Sequence, residues 1–135
     1  AMDAGEITRA IELFVPLADA GDSAAQFNIG LIYQFESYGR PDREKALYWL
    51  RMAAEQGVSD AQFYLGEFYH RGQVVNQNFE LAMEWYLKAA NQENGKAQAN
   101  IGFMYERGQG VFPSHIEAIE WYNRAAAQGN AQALE

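Results

Sequence analysis

The side chains that could carry chemistry are few. His70 and His115 are the two histidines and there is no cysteine, which excludes thiol nucleophiles, disulfides and cysteine metal sites. The histidines fall on different elements and form no His-x-x-x-His pair, so neither is expected to hold a metal. Glu117 and Glu120 are close in sequence, but three-residue spacing puts both on one helix face, where carboxylates are normally solvated surface rather than an acid and a base across a substrate. The run Gly108-Gln-Gly-Val111 follows a helical segment and lacks the lysine and hydroxyl that a phosphate-cradling loop requires, so it reads as a turn. No nucleophile elbow is present. The inventory therefore predicts no enzyme and no cofactor, and leaves binding as the function to look for.

The elements that position these residues repeat. Sliding the sequence on itself by 36 residues aligns it without a gap, and such self-similarity takes precedence over any local reading. Ala10, Ala46, Ala82 and Ala118 share one column. Ala18, Ala54, Ala90 and Ala126 share another, and Ala25, Ala61, Ala97 and Ala133 a third. Leu13, Trp49, Trp85 and Trp121 are in register, as are Gly30, Gly66 and Gly102, and Tyr33, Tyr69 and Tyr105.

Each copy holds two helices. The first, A, places Ala61, Leu65, Phe68 and Tyr69 on one stripe; the second, B, does so with Ala82, Trp85, Tyr86, Ala89 and Ala90, with Glu80, Glu84 and Lys88 outside. Asn78 and Ser114 are expected to cap B helices, Gly72 and Gly108 to end A helices, and Gly21, Gly57 and Gly129 to end B helices. Glu93 in that last column predicts an altered turn. Large residues facing alanine and glycine let helices approach closely, and stacked pairs build one continuous core. The tryptophans are expected to fill a shared packing slot, and Phe27 and Phe63 to pack between repeats.

The pattern Ala-x-x-x-Leu-Gly-x-x-Tyr in helix A, with Ala-x-x-Trp-Tyr-x-x-Ala-Ala-x-x-Gly in helix B, resembles the Sel1-like repeat, a tetratricopeptide-like unit. The resemblance covers residues 6 to 133 and implies an all-α fold, an α-solenoid in which antiparallel helix pairs wind into a right-handed superhelix. The expected division is 1–5 as a cloning remnant or flexible N-terminus, 6–20 as a leading half repeat, then 23–58, 59–94 and 95–130 as repeats, with 131–135 as the truncated start of a fourth or a cloning scar. Repeat one departs in its loop: Glu36 stands in the Gly72 column, Gly39 replaces the valine, and Arg40 and Pro41 follow, with Phe35 and Tyr38 as substitutes for the missing apolar contact.

The resemblance also implies a protein-interaction scaffold that binds a peptide segment or partner protein on a concave face lined by the A helices; the alternative is a structural spacer with no ligand of its own. On that face the candidate contacts are Asn28, Leu31 and Phe35 in copy one, Tyr64, Glu67 and Arg71 in copy two, and Lys96, Asn100, Phe103 and Arg107 in copy three, with His70 beside them. Lys96 one turn before Asn100 partly matches the arrangement by which some tetratricopeptide domains clamp a C-terminal carboxylate. Asp60 and Glu67 oppose an acidic tail, so a mixed apolar and polar extended segment is expected instead.

Composition sets the outer bounds. The 135 residues are 49% hydrophobic and 14% aromatic, and ten Lys plus Arg against eighteen Asp plus Glu give a net charge of −8, which repels a phosphate backbone or an anionic bilayer. No nucleic-acid partner and no membrane insertion are expected. The charge is assigned to B-helix surfaces, at Glu12, Glu80, Glu84, Glu117 and Glu120. A soluble protein is expected, with its compartment open between cytoplasm and periplasm or exterior, since the N-terminal residues carry no signal peptide and the lack of cysteine suits either. A truncated repeat at either end would leave apolar surface, with end-to-end self-association as its consequence.

Overall fold

The computed structural model describes residues 3–36 and 42–133. Among them the chain forms seven α-helices and no strand: α1 (Ala4–Asp19), α2 (Ser23–Leu31), α3 (Arg43–Glu55), α4 (Ser59–Arg71), α5 (Phe79–Ala90), α6 (Gly95–Arg107) and α7 (His115–Ala133). Helices α2, α4 and α6 are the A helices, and α1, α3, α5 and α7 the B helices. None is long and apolar enough to cross a membrane.

Short polar residues open these helices, because their side chains satisfy N–H groups that the first helical turn leaves unbonded. Asp42, Asn78 and Ser114, one per repeat in a single column, accept from the backbone N–H of Lys45, Leu81 and Glu117 at 3.2, 3.0 and 3.1 Å. The backbone N–H of each cap donates in turn to the carbonyl of Tyr33, Tyr69 or Tyr105 at 2.8, 2.9 and 3.0 Å. The A-to-B connection is therefore closed identically in all three repeats. In repeat one α2 runs into a π-helical turn, Ile32–Glu36, where the other repeats end their A helices at left-handed Gly72 and Gly108. The readings at Tyr38, Gly39, Arg40 and Pro41 lie outside the described residues. Phe35 is 59% exposed.

Two expectations about turns need correction. The Glu93 turn is not altered: Glu93 N–H donates to Ala90 O and Asn94 N–H to Ala89 O, as Gly57 and Val58 do to Ala54 and Ala53, and Glu93 itself takes the left-handed φ of 65°. Two hydrogen bonds at the helix end outweigh the steric cost of a side chain there. Gly129, by contrast, ends nothing. It lies inside α7, which continues to Ala133, because Ala131, Gln132 and Ala133 are good helix formers and propensity carries the helix onward.

By its contacts the chain divides into two units, Ala1–Ala61 and Gln62–Glu135. In the first, α1 and α3 both pack on α2, around Ala18, Ala25 and Ile29 with Phe14, Val15, Tyr33 and Trp49 against them. In the second, α6 packs on α5 and α7, around Phe63, Ala82, Met83, Tyr86, Ala89, Ala90, Ala97, Ile101 and Met104. Phe63 belongs to this core, as expected, while Phe27 is half-buried.

The conserved-spacing glycines explain how the pairs close. A Cβ built on Gly66 would stand 2.5 Å from the Tyr86 ring, on Gly30 2.7 Å from Leu50, and on Gly102 2.9 Å from Tyr122. Each B helix thus lays a large side chain directly on an A-helix backbone, which any side chain at those positions would obstruct. The residue that does so follows the tryptophan. Trp49, Trp85 and Trp121 are themselves half-buried, with Lys88 over Trp85 at 4.4 Å and Arg124 over Trp121 at 4.6 Å. The acidic B-helix residues Glu12, Glu80, Glu84, Glu117 and Glu120 are all exposed.

Candidate functional site

In the second unit, the inner packing of α4 on α5 and α6 sets up a half-open pocket. Tyr86, on α5, is fully buried against Gly66, which brings its hydroxyl to the end of α4. There it lies 3.1 Å from His70 Nδ1, while His70 Nε2 lies 2.7 Å from Gln109 Oε1 in the loop after α6. Because a carbonyl oxygen can only accept, His70 donates from Nε2–H to Gln109 Oε1, and its Nδ1 accepts a hydrogen bond from the Tyr86 hydroxyl. The Asn100 side chain hydrogen-bonds the same hydroxyl. Gln109, His70, Tyr86 and Asn100 therefore form one continuous chain.

Glu67, His70, Arg71, Asn100 and Phe103 line the pocket, whose volume is about 310 Å³. The His70 ring meets Phe79, Tyr86 and Phe103 edge-on at 5.7, 5.7 and 6.3 Å between centroids, an arrangement aromatic rings favour. Arg71 reaches Glu67 at 3.2 Å. Burial raises the Glu67 carboxyl above its ordinary range, opposed by Arg71, His70 and Lys96. Burial likewise pushes the Tyr86 hydroxyl far above its ordinary value, helped by the Glu67 charge and opposed by the Asn100 hydrogen bond and Arg71. Tyr86 is thus a neutral hydrogen-bonding group at any physiological pH.

Of the ten residues predicted for the partner-binding face, Glu67, Arg71, Asn100 and Phe103 come together around this pocket. Arg107 stacks on Phe103 at 4.9 Å, and Lys96 lies 5.9 Å from the Phe63 ring centroid. Tyr64 is half-buried and packs against the core cluster. Asn28, Leu31 and Phe35 belong to the first unit, half-buried, half-buried and exposed in that order. His115 is exposed at the start of α7, and among the described residues no cluster of three His, Asp or Glu side chains could hold a metal ion.

Sequence reasoning missed two features of the site. Gln109 sits in a run read only as a turn, although Gln73 in the same column was a signal. The second is a ladder of buried glutamines, Gln26, Gln62 and Gln98, which also share a column. Gln26 and Gln98 donate to Ala18 O and Ala90 O at 3.1 and 3.2 Å, tying an A helix to the end of the preceding B helix. Gln26 and Gln62 also accept from Gln56 and Gln92 at 2.7 and 3.0 Å.

Comparison with known proteins agrees with this architecture. The family model described as Sel1 repeat matches residues 23–58, 59–94 and 95–130. A Sel1 repeat protein from Oxalobacter formigenes is 39% identical, with a TM-score of 0.81 over 86% of this chain. The protective antigen c5321 of uropathogenic Escherichia coli, which displays an SLR fold, is 35% identical with a TM-score of 0.85 over 91%. This chain spans 34% and 26% of those two structures. Helicobacter pylori cysteine rich protein B shares the fold at 21% identity, with a TM-score of 0.70, covering 96% of this chain and 94% of its own. No curated protein matches.

Proposed function

Because the chain belongs to the Sel1 repeat family, whose members are generally non-enzymatic protein-interaction scaffolds, we propose that it is such a scaffold and captures a peptide segment or partner protein on the face formed by its A helices. One observation carries the reading: the pocket between α4 and α6 combines an aromatic wall, Phe103 and His70, with charged groups at its margin, the composition of a peptide-recognition surface. Its titratable groups are committed to each other. Both His70 nitrogens are engaged, by Tyr86 and Gln109, so the ring is held as a wall element and is not poised beside a nucleophile.

The test is selection of a random peptide library on the immobilised protein, followed by binding of the selected peptides to two variants. Phe103→Ala with Arg107→Ala is expected to abolish binding with helicity unchanged, and Glu84→Lys on the outer face of α5 to leave it intact. Selected peptides that bind the first variant as well as the parent would remove the site assignment, and a selection that enriches nothing would favour the spacer role.

A further inference from the structure

We infer that the occupant of this pocket is an extended peptide in which an acidic side chain neighbours an apolar one, its carboxylate held by Arg107 and Arg71 and its apolar side chain set against Phe103 and His70. This rests on the scaffold reading and deepens it.

The inference follows from which polar groups are already engaged. His70 has no nitrogen left for a ligand, and Asn100 is occupied at the Tyr86 hydroxyl. Glu67 is bound to Arg71. What remains is cationic. Arg107 has no hydrogen-bond partner among the described residues, and its guanidinium carbon lies over the Phe103 ring, 4.9 Å from the centroid. A stacked guanidinium keeps its in-plane N–H groups available, and their fork matches a carboxylate. Arg71 is exposed over 64% of its side chain and meets Glu67 through one terminal nitrogen, which leaves its other edge open.

Local charge points the same way. Arg71 and Lys96 both act on the single pocket carboxylate, Glu67, and Arg107 lies over the Phe103 wall. Glu106, the one acid of α6, accepts from the Tyr122 hydroxyl at 3.4 Å. In a chain of net charge −8 this places three cations near one pocket carboxylate; Asp60 and Glu67 were expected to oppose an acidic ligand, and for Glu67 Arg71 supplies a counter-charge at 3.2 Å.

The experiment uses three pools of N-acetylated, C-amidated octapeptides, so that no terminal charge is present. Each pool fixes a central leucine, fixes the following residue as Glu, Gln or Lys, and randomises the rest; binding is read by fluorescence anisotropy. The Glu pool is expected to bind about tenfold or more tighter than the Gln pool, and the Lys pool weakest. Arg107→Glu is expected to erase that preference with Tm unchanged. Binding without preference for the Glu pool, or a preference that survives Arg107→Glu with Arg71→Glu, would overturn the inference and leave the scaffold reading standing. Failure of all three pools to bind would overturn both.

Discussion

The first and second repeats place different residues on the same glycine column, and the difference shows what links core to surface. In repeat two the buried Tyr86 ring covers Gly66 and its hydroxyl emerges at His70. In repeat one Leu50 covers Gly30 equally closely but has no hydroxyl to offer. Gln34, in the His70 column, accordingly has a buried carbonyl oxygen with no donor. Both repeats pack, but only the tyrosine converts a packing contact into a hydrogen-bonded wall.

Closing the glycine slot should break the comparison most severely. Gly66→Ala puts a methyl against a fully buried ring at 2.5 Å and should cost about 1–3 kcal/mol by denaturant unfolding. Gly102→Ala should cost less, since Tyr122 is only partly buried and can yield. Next in size is Tyr86→Phe, which leaves His70 Nδ1 without its donor and should lose about 1–2 kcal/mol. Its converse, Leu50→Tyr, supplies Gln34 with a hydroxyl and should be neutral or stabilising by up to about 1 kcal/mol. A loss comparable to that of Tyr86→Phe would show that the two repeats differ by more than that group.

The loops give a finer contrast. Val74 adopts a φ of 65°, where its counterpart in repeat three is Gly110 at 72°. A β-branched residue is strained there, so Val74→Gly should raise stability by about 1 kcal/mol, the relief exceeding the added entropy of the unfolded glycine.

The smallest effect is electrostatic. The Glu67 carboxyl is raised by burial, so the folded state favours its protonated form. Its contribution is fully present below the ordinary glutamate range and is lost as pH rises through the folded value. Glu67→Gln should therefore flatten the pH dependence of Tm between acid and neutral pH, and a variant that steepens it would reverse the assignment.

Much of the fold was legible because one period governs it. The alanine, glycine and tyrosine columns specify which faces must be buried, and Asn78 and Ser114 cap as their positions predict. What spacing does not reveal is how side-chain polar groups pair across helices, such as His70 with Gln109. Glu93 and Val74 take left-handed backbone at positions where another repeat carries glycine, which spacing alone does not reveal. For the site, spacing placed Glu67, Arg71, Asn100 and Phe103 on a common face, while Tyr64, half-buried with its ring 5.3 Å from that of Phe63, packs against the core cluster.

The central claim is that ligand binding occurs on the α4 and α6 face of the second unit. Amide chemical-shift mapping of the ¹⁵N-labelled protein with a library-selected peptide tests it most directly. The account predicts the largest shifts at His70, Arg71, Asn100, Phe103 and Arg107, with α7 little changed; shifts concentrated on the outer faces of α5 and α7, around Glu84 and Glu120, would contradict it.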